Sequence, residues 1–141
     1  MTGVQTCALP ICAPDVVALP YGGGGNLCAY ALGFGELGTL PRFVAAQAEN
    51  RAGTAASAIR IVEPAHESEA QRALADSGGA APSIPDEGIL DAWRLLAREE
   101  GLFCEPSSAA GLAALLADPP RGAKVVCVIT GHGLKDPDAV A

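Results

Sequence analysis

A chain of 141 residues, half of them hydrophobic, has room for one domain and enough apolar material to bury a core. Sixteen acidic residues against nine basic give a net charge of -7, and no Lys/Arg cluster offers a row of contacts to a phosphate backbone, which argues against nucleic acid as a partner. No stretch reaches the ~18 apolar residues of a membrane helix, and the five cysteines (Cys7, Cys12, Cys28, Cys104, Cys127) lack CxxC spacing, so a reduced, cytoplasmic chain is expected.

Residues 1–12 open with MTGVQTCALPI, which has neither helical nor strand periodicity and resembles the translation of a sequencing-library adapter. They are expected to form a non-native or disordered leader, leaving 13–141 as the folded unit. Residues 15–19 (DVVAL), bounded by Pro14 and Pro20, read as a buried strand. A glycine loop follows, and over 26–37 Leu27, Tyr30, Ala31 and Phe34 fall on one helical face, with Gly38 and Pro41 as a stop. Residues 42–47 (RFVAAQ) form a second strand, so 15–47 has the length of a βαβ crossover with parallel strands. The middle is less legible: a short apolar piece over 55–61, a break at Pro64, and a polar helix over 67–76 ended by Gly78 and Gly79. A short strand is expected over 80–84. Asp86 can then cap a helix striped by Ile89, Leu90, Trp93, Leu96 and Ala97 and closed by Gly101. Pro106 suits a first helical position, 109–117 favours helix, and Pro119 with Pro120 ends it. Residues 124–129 (KVVCVI) read as a strand covered on both faces.

The run Gly22, Gly23, Gly24, Gly25 and Asn26 stands between a strand and a helix, where bare backbone can approach an anion. It matches neither a dinucleotide fingerprint, since the third glycine would fall on Leu27, nor an NTP loop with its Lys-Ser/Thr. The competing reading is a flexible turn. Thr130 and His132, in TGHGLKD, follow the carboxyl end of the last strand, where ligands bind in open parallel sheets. By residue type alone they suit an ST-turn and a loop imidazole. Ser107 and Ser108 at a helix start read as caps, with Glu105 favouring the helix dipole, and Glu99 with Glu100 as a solvated face beside Arg94 and Arg98. With His66 distant from His132, no metal site is expected.

Taken together, LPYGGGGN (19–26), REEGLFCEPSSAAGLAALL (98–116) and VCVITGHGLKDPD (126–138) resemble the threonine synthases in order and spacing. The resemblance implies the tryptophan-synthase-like, fold-type-II class of pyridoxal 5'-phosphate enzymes: an α/β fold, mostly parallel sheet flanked by helices, of which this chain would be the carboxy-terminal part. It implies that Gly22, Gly23, Gly24, Gly25 and Asn26 bind the cofactor phosphate and that Thr130 hydrogen-bonds the pyridine nitrogen. The family more often has Gly-Asn-Ala-Gly-Asn in the loop, so side-chain contacts at Gly23 do not carry over. Threonine synthases convert O-phosphohomoserine and water to threonine and phosphate. Their imine-forming lysine has no counterpart here: Lys124 and Lys135 are the two lysines, and neither lies in a matching segment. The expectation is a threonine synthase fragment that is inactive without its amino-terminal half, with a homodimer as the parent's possible state. The alternatives are a piece of a threonine or serine dehydratase and a non-catalytic ligand-binding module.

Overall fold

The computed structural model describes residues 13–137, so the leader expected over 1–12 lies outside the described residues. Strand β1 (Val16–Pro20) is buried along its whole length. It runs parallel to β2 (Arg42–Ala48), in register from Val16 opposite Arg42 to Pro20 opposite Ala46, with helix α1 (Gly25–Glu36) as the crossover. The βαβ unit read from the sequence is therefore present, displaced by a residue at most boundaries. After α2 (Glu67–Ser77), β3 (Ser83–Ile84) pairs with β2. After α3 (Asp86–Glu99) and α4 (Ala110–Ala117), β4 (Val125–Cys127) pairs with the free side of β1. The result is an all-parallel four-stranded sheet in the order β3-β2-β1-β4.

Strand periodicity explains why helices cover both faces. Val16, Ala18, Val44 and Ala46 point to one side and pack with Ile89, Leu96, Ala110 and Ala113 of α3 and α4. Val17, Leu19, Phe43 and Ala45 point to the other and pack with Leu27, Ala70 and Leu74 of α1 and α2. Helix α4 packs closely on β1 at Gly111, where an added Cβ would stand 3.1 Å from Leu19 N. Gly78 ends α2 in the left-handed region at φ 62°, as the Gly-Gly punctuation suggested.

Three expectations are corrected. Residues 124–129 give only a three-residue strand, partly exposed, because β4 is the sheet edge and Val126 is 45% exposed. Asp86 does not cap α3: Pro85 takes that position, and the Asp86 carboxylate instead accepts hydrogen bonds from Thr54 Oγ1 (2.5 Å) and Ala55 N (2.8 Å), tying the loop after β2 to α3. Tyr30 turns outward from the face that Leu27 buries. The described cysteines are free thiols; burial raises the pKa of Cys28 and Cys104 and pushes Cys127 up to about 11, so they stay protonated. No helix among the described residues is long and apolar enough to cross a membrane.

Candidate functional site

From β1 the chain goes to β2 on one side and returns as β4 on the other. That reversal makes the crevice above the carboxyl ends of β1 and β4 the topological switch point, the position where open parallel sheets bind ligands. The glycine loop leaves β1 at this point and Thr130 follows β4 there. Both line one cavity of about 390 Å³, together with Glu105, Ser107 and Lys135. A larger hollow of about 930 Å³, lined by Arg51, Glu67 and Gln71, is an open groove beside α2 and includes neither the loop nor Thr130.

The loop needs its glycines. Gly24 is the residue before α1 and has φ 87°, where an added Cβ would lie 3.1 Å from the His66 carbonyl oxygen and 3.2 Å from Ala70 Cβ. At Gly22 a Cβ would lie 3.2 Å from the Ala58 carbonyl oxygen. The carbonyls of Gly23 and Gly24 accept from His66 N–H and Cys28 N–H, whereas the N–H groups of Gly22, Gly23, Gly24 and Gly25 find no acceptor among the described residues. Unpaired donors at the positive end of a helix form an anion-accepting surface.

On the opposite wall, Thr130 Oγ1 is 3.0 Å from Ser108 Oγ, which also accepts the Gly131 N–H at 2.7 Å. Ser107 Oγ accepts the Ala58 N–H at 3.0 Å, joining this wall to the loop after β2. The serines are thus buried cross-links rather than helix caps, which corrects the capping expectation. Glu105 is also buried, and its carboxylate packs over Gly131 with Lys135 Nζ 3.9 Å from Oε1. These contacts join residues far apart in sequence, so no local pattern announced them; the usable signal was a run of polar residues inside an apolar stretch. His132 does not line the cavity: its Nδ1 accepts the Leu134 N–H and its ring meets Phe103 edge-on at 5.5 Å.

Beside the loop, Tyr21 is buried and donates its hydroxyl to Glu67 Oε2 at 2.8 Å. Burial, then the hydrogen bond to Glu67, pushes the phenol up to about 12 from its ordinary 10. Because the folded value lies above the unfolded one, stability is intact below pH 10 and is expected to fall between pH 10 and 12 as the unfolded phenol ionises first. Denaturant midpoints measured across that range should drop in the native chain and drop less in Tyr21→Phe.

An all-parallel sheet with helices on both faces and a cavity at its switch point defines an α/β domain of the open, doubly covered kind. Residues 1–131 match the family model described as pyridoxal-phosphate dependent enzyme, and the chain belongs to that family. It is 44% identical to a threonine synthase of Synechocystis over 98% of this chain and 43% of that protein. The corresponding values for a threonine synthase of Methanocaldococcus jannaschii are 38%, 99% and 43%. The chain is thus a partial threonine synthase homologue that spans less than half the length of these curated relatives. Among solved structures, a T.th. threonine deaminase superposes with a TM-score of 0.70 at 22% identity over 86% of this chain and 46% of its own. Maize serine racemase superposes at 0.69 and 23% over 85% and 43%; both likenesses establish the fold.

Proposed function

We propose that the chain forms one wall of the cofactor site of a threonine synthase, which converts O-phosphohomoserine and water to threonine and phosphate. The observation that carries this reading is the convergence of the glycine loop and Thr130 on one cavity at the switch point. The loop fits a phosphate group: its free N–H donors face no internal acceptor among the described residues, and side chains at Gly22 and Gly24 would crowd the Ala58 and His66 carbonyls. Gly22, Gly23, Gly24, Gly25 and Asn26 would hold the phosphate of pyridoxal phosphate, and Thr130, positioned by Ser108, would offer its hydroxyl to the ring nitrogen. The bound cofactor supplies an electron sink for carbanionic charge. The chain's own share is orientation: α1 brings its positive end to the phosphate, and the serines fix the Thr130 turn and tie it to the loop after β2.

The chain alone is proposed to be inactive, because neither Lys124 nor Lys135 lies in a segment matching the family's imine-forming site. Lys135 does line the cavity, beside Glu105, which makes it the lysine to watch. Borohydride treatment with pyridoxal phosphate should leave no stable lysine adduct; an adduct mapped to Lys135 would overturn the inactivity. Paired with the part of the Synechocystis threonine synthase outside the matched segment, the chain should release phosphate from O-phosphohomoserine and form threonine. Formation of 2-oxobutyrate from threonine, without phosphate release, would assign it to the dehydratases instead.

A further inference from the structure

The groove of about 930 Å³ beside α2 is separate from the cavity of the glycine loop and Thr130, and it brings opposite charges to face one space. Arg51, in the turn after β2, and Glu67, in the first turn of α2, both line it. The same buried side chain touches each. The Arg51 guanidinium carbon lies 5.2 Å from the centre of the Tyr21 ring, and the Tyr21 hydroxyl donates to Glu67 Oε2 at 2.8 Å. Arg51 also donates to Gln47 Oε1, and the Gln47 amide is tied to the Ala81 carbonyl oxygen at 3.2 Å and to Ser83 Oγ at 3.0 Å. Gln71 Nε2 donates to Glu67 Oε1 at 2.8 Å. These contacts, Gln71 first and Tyr21 second, hold the Glu67 carboxyl below the ordinary carboxylate range, and the Arg51 charge adds to the effect. The two charges thus feel one another, yet among the described residues they form no ion pair. A guanidinium carries more donors, and a carboxylate more acceptor sites, than these contacts use. Apolar side chains complete the lining: Leu74 is buried, Pro64 half-buried and Val62 exposed at the rim.

We infer that this groove is a second small-molecule site whose ligand is a free α-amino acid with an aliphatic side chain. Its carboxylate meets Arg51, its ammonium meets Glu67, and its side chain lies against Leu74, Pro64 and Val62. Charge complementarity selects this class over simpler ions. Glu67, with Glu63 also in the lining, repels a ligand that has a carboxylate and no ammonium, and Arg51 repels one that has an ammonium and no carboxylate. A zwitterion satisfies both signs at once. The spacing of the two charges is set beforehand by Tyr21, Gln47 and Gln71, so less side-chain freedom is lost when the ligand binds. The inference stands apart from the cofactor reading, because neither the glycine loop nor Thr130 lines this groove.

Titration calorimetry of the 141-residue chain with L-leucine, N-acetyl-L-leucine and L-leucinamide tests this without any substitution. L-leucine should bind with a dissociation constant of ~1 mM or tighter. Each analogue lacks one of the two charges and should bind about tenfold more weakly or worse, the scale of a lost hydrogen bond to a charged group. Equal binding of N-acetyl-L-leucine would make the groove an anion site, and equal binding of L-leucinamide a cation site. No saturation by L-leucine at ~10 mM would show that the groove holds no such ligand. Each of these results overturns the inference. Two variants then place the binding in the groove. In Arg51→Gln, L-leucine should bind no better than L-leucinamide does; in Glu67→Gln, no better than N-acetyl-L-leucine does. Glu67 is exposed and its amide variant keeps an oxygen for the Tyr21 hydroxyl, so that variant should melt as the wild type does. A wild-type preference for L-leucine over the matching analogue in either folded variant would put the binding elsewhere and overturn the assignment.

Discussion

Gly131→Ala is expected to destabilise the chain by about 3 kcal/mol, at the upper end of what overpacking a buried site costs. A Cβ at this position would stand 1.9 Å from Glu105 Oε1 and 2.3 Å from its carboxyl carbon, which is not contact but overlap. Glu105 has little freedom to retreat, since it is buried and its backbone N–H is bonded to the Gly131 carbonyl oxygen at 3.0 Å. The turn after β4 would have to move instead, taking with it the Gly131 N–H that holds Ser108 at 2.7 Å and hence the placement of Thr130. The cause can be isolated with a double-mutant cycle in urea unfolding. On a Glu105→Ala background, where the carboxylate is gone, Gly131→Ala should cost less than about 1 kcal/mol, a coupling of the size seen for residues in direct contact. Equal losses on both backgrounds would place the strain elsewhere.

Around this turn lies the boundary between what local sequence signals convey and what they do not. The segment from Val16 to Ala48 was legible because its signals are local: β-branched apolar runs, a glycine loop between them, and a length that suits a crossover helix. Helix α3 was legible for the same reason, its stripe burying Ile89 and Leu96. The edge position of β4 was not, because a run such as KVVCVI carries no record of which strands flank it. The site divides likewise. Glycines before a helix are legible through conformation alone, and the left-handed Gly24 at the start of α1 bears out the conformational part of that reading. Ser107 and Ser108 read as caps from local pattern, whereas their partners, Ala58 and Gly131, come from other parts of the chain. That Thr130 belonged with the glycine loop followed from family resemblance; the sheet order supplies the physical reason, since β1 and β4 are neighbours.

If the loop holds a phosphate by its backbone, Gly24→Val and Gly25→Ala should separate sharply although they are adjacent. Gly24 sits at φ 87°, where a β-branched residue is strained, and its Cβ would press on the His66 carbonyl at 3.1 Å. Left-handed backbone costs ~1–2 kcal/mol for an ordinary residue; with the added contact the expected loss is about 3 kcal/mol. Relief would require rotating the Gly23 to Gly25 peptides away from the cavity. Gly25 is already helical, and its Cβ would meet His66 Cδ2 at an ordinary 3.7 Å. Alanine there keeps every N–H in place and should be neutral or stabilising by up to about 1 kcal/mol through helix propensity. Equilibrium dialysis against pyridoxal 5'-phosphate and against pyridoxal isolates the phosphate contribution. The preference for the phosphorylated form should fall at least tenfold in Gly24→Val and stay within twofold of wild type in Gly25→Ala. Were Gly25→Ala to abolish the preference as thoroughly, the anion would have to be held by close approach to the bare Gly25 Cα, and the donor argument at the helix start would fail.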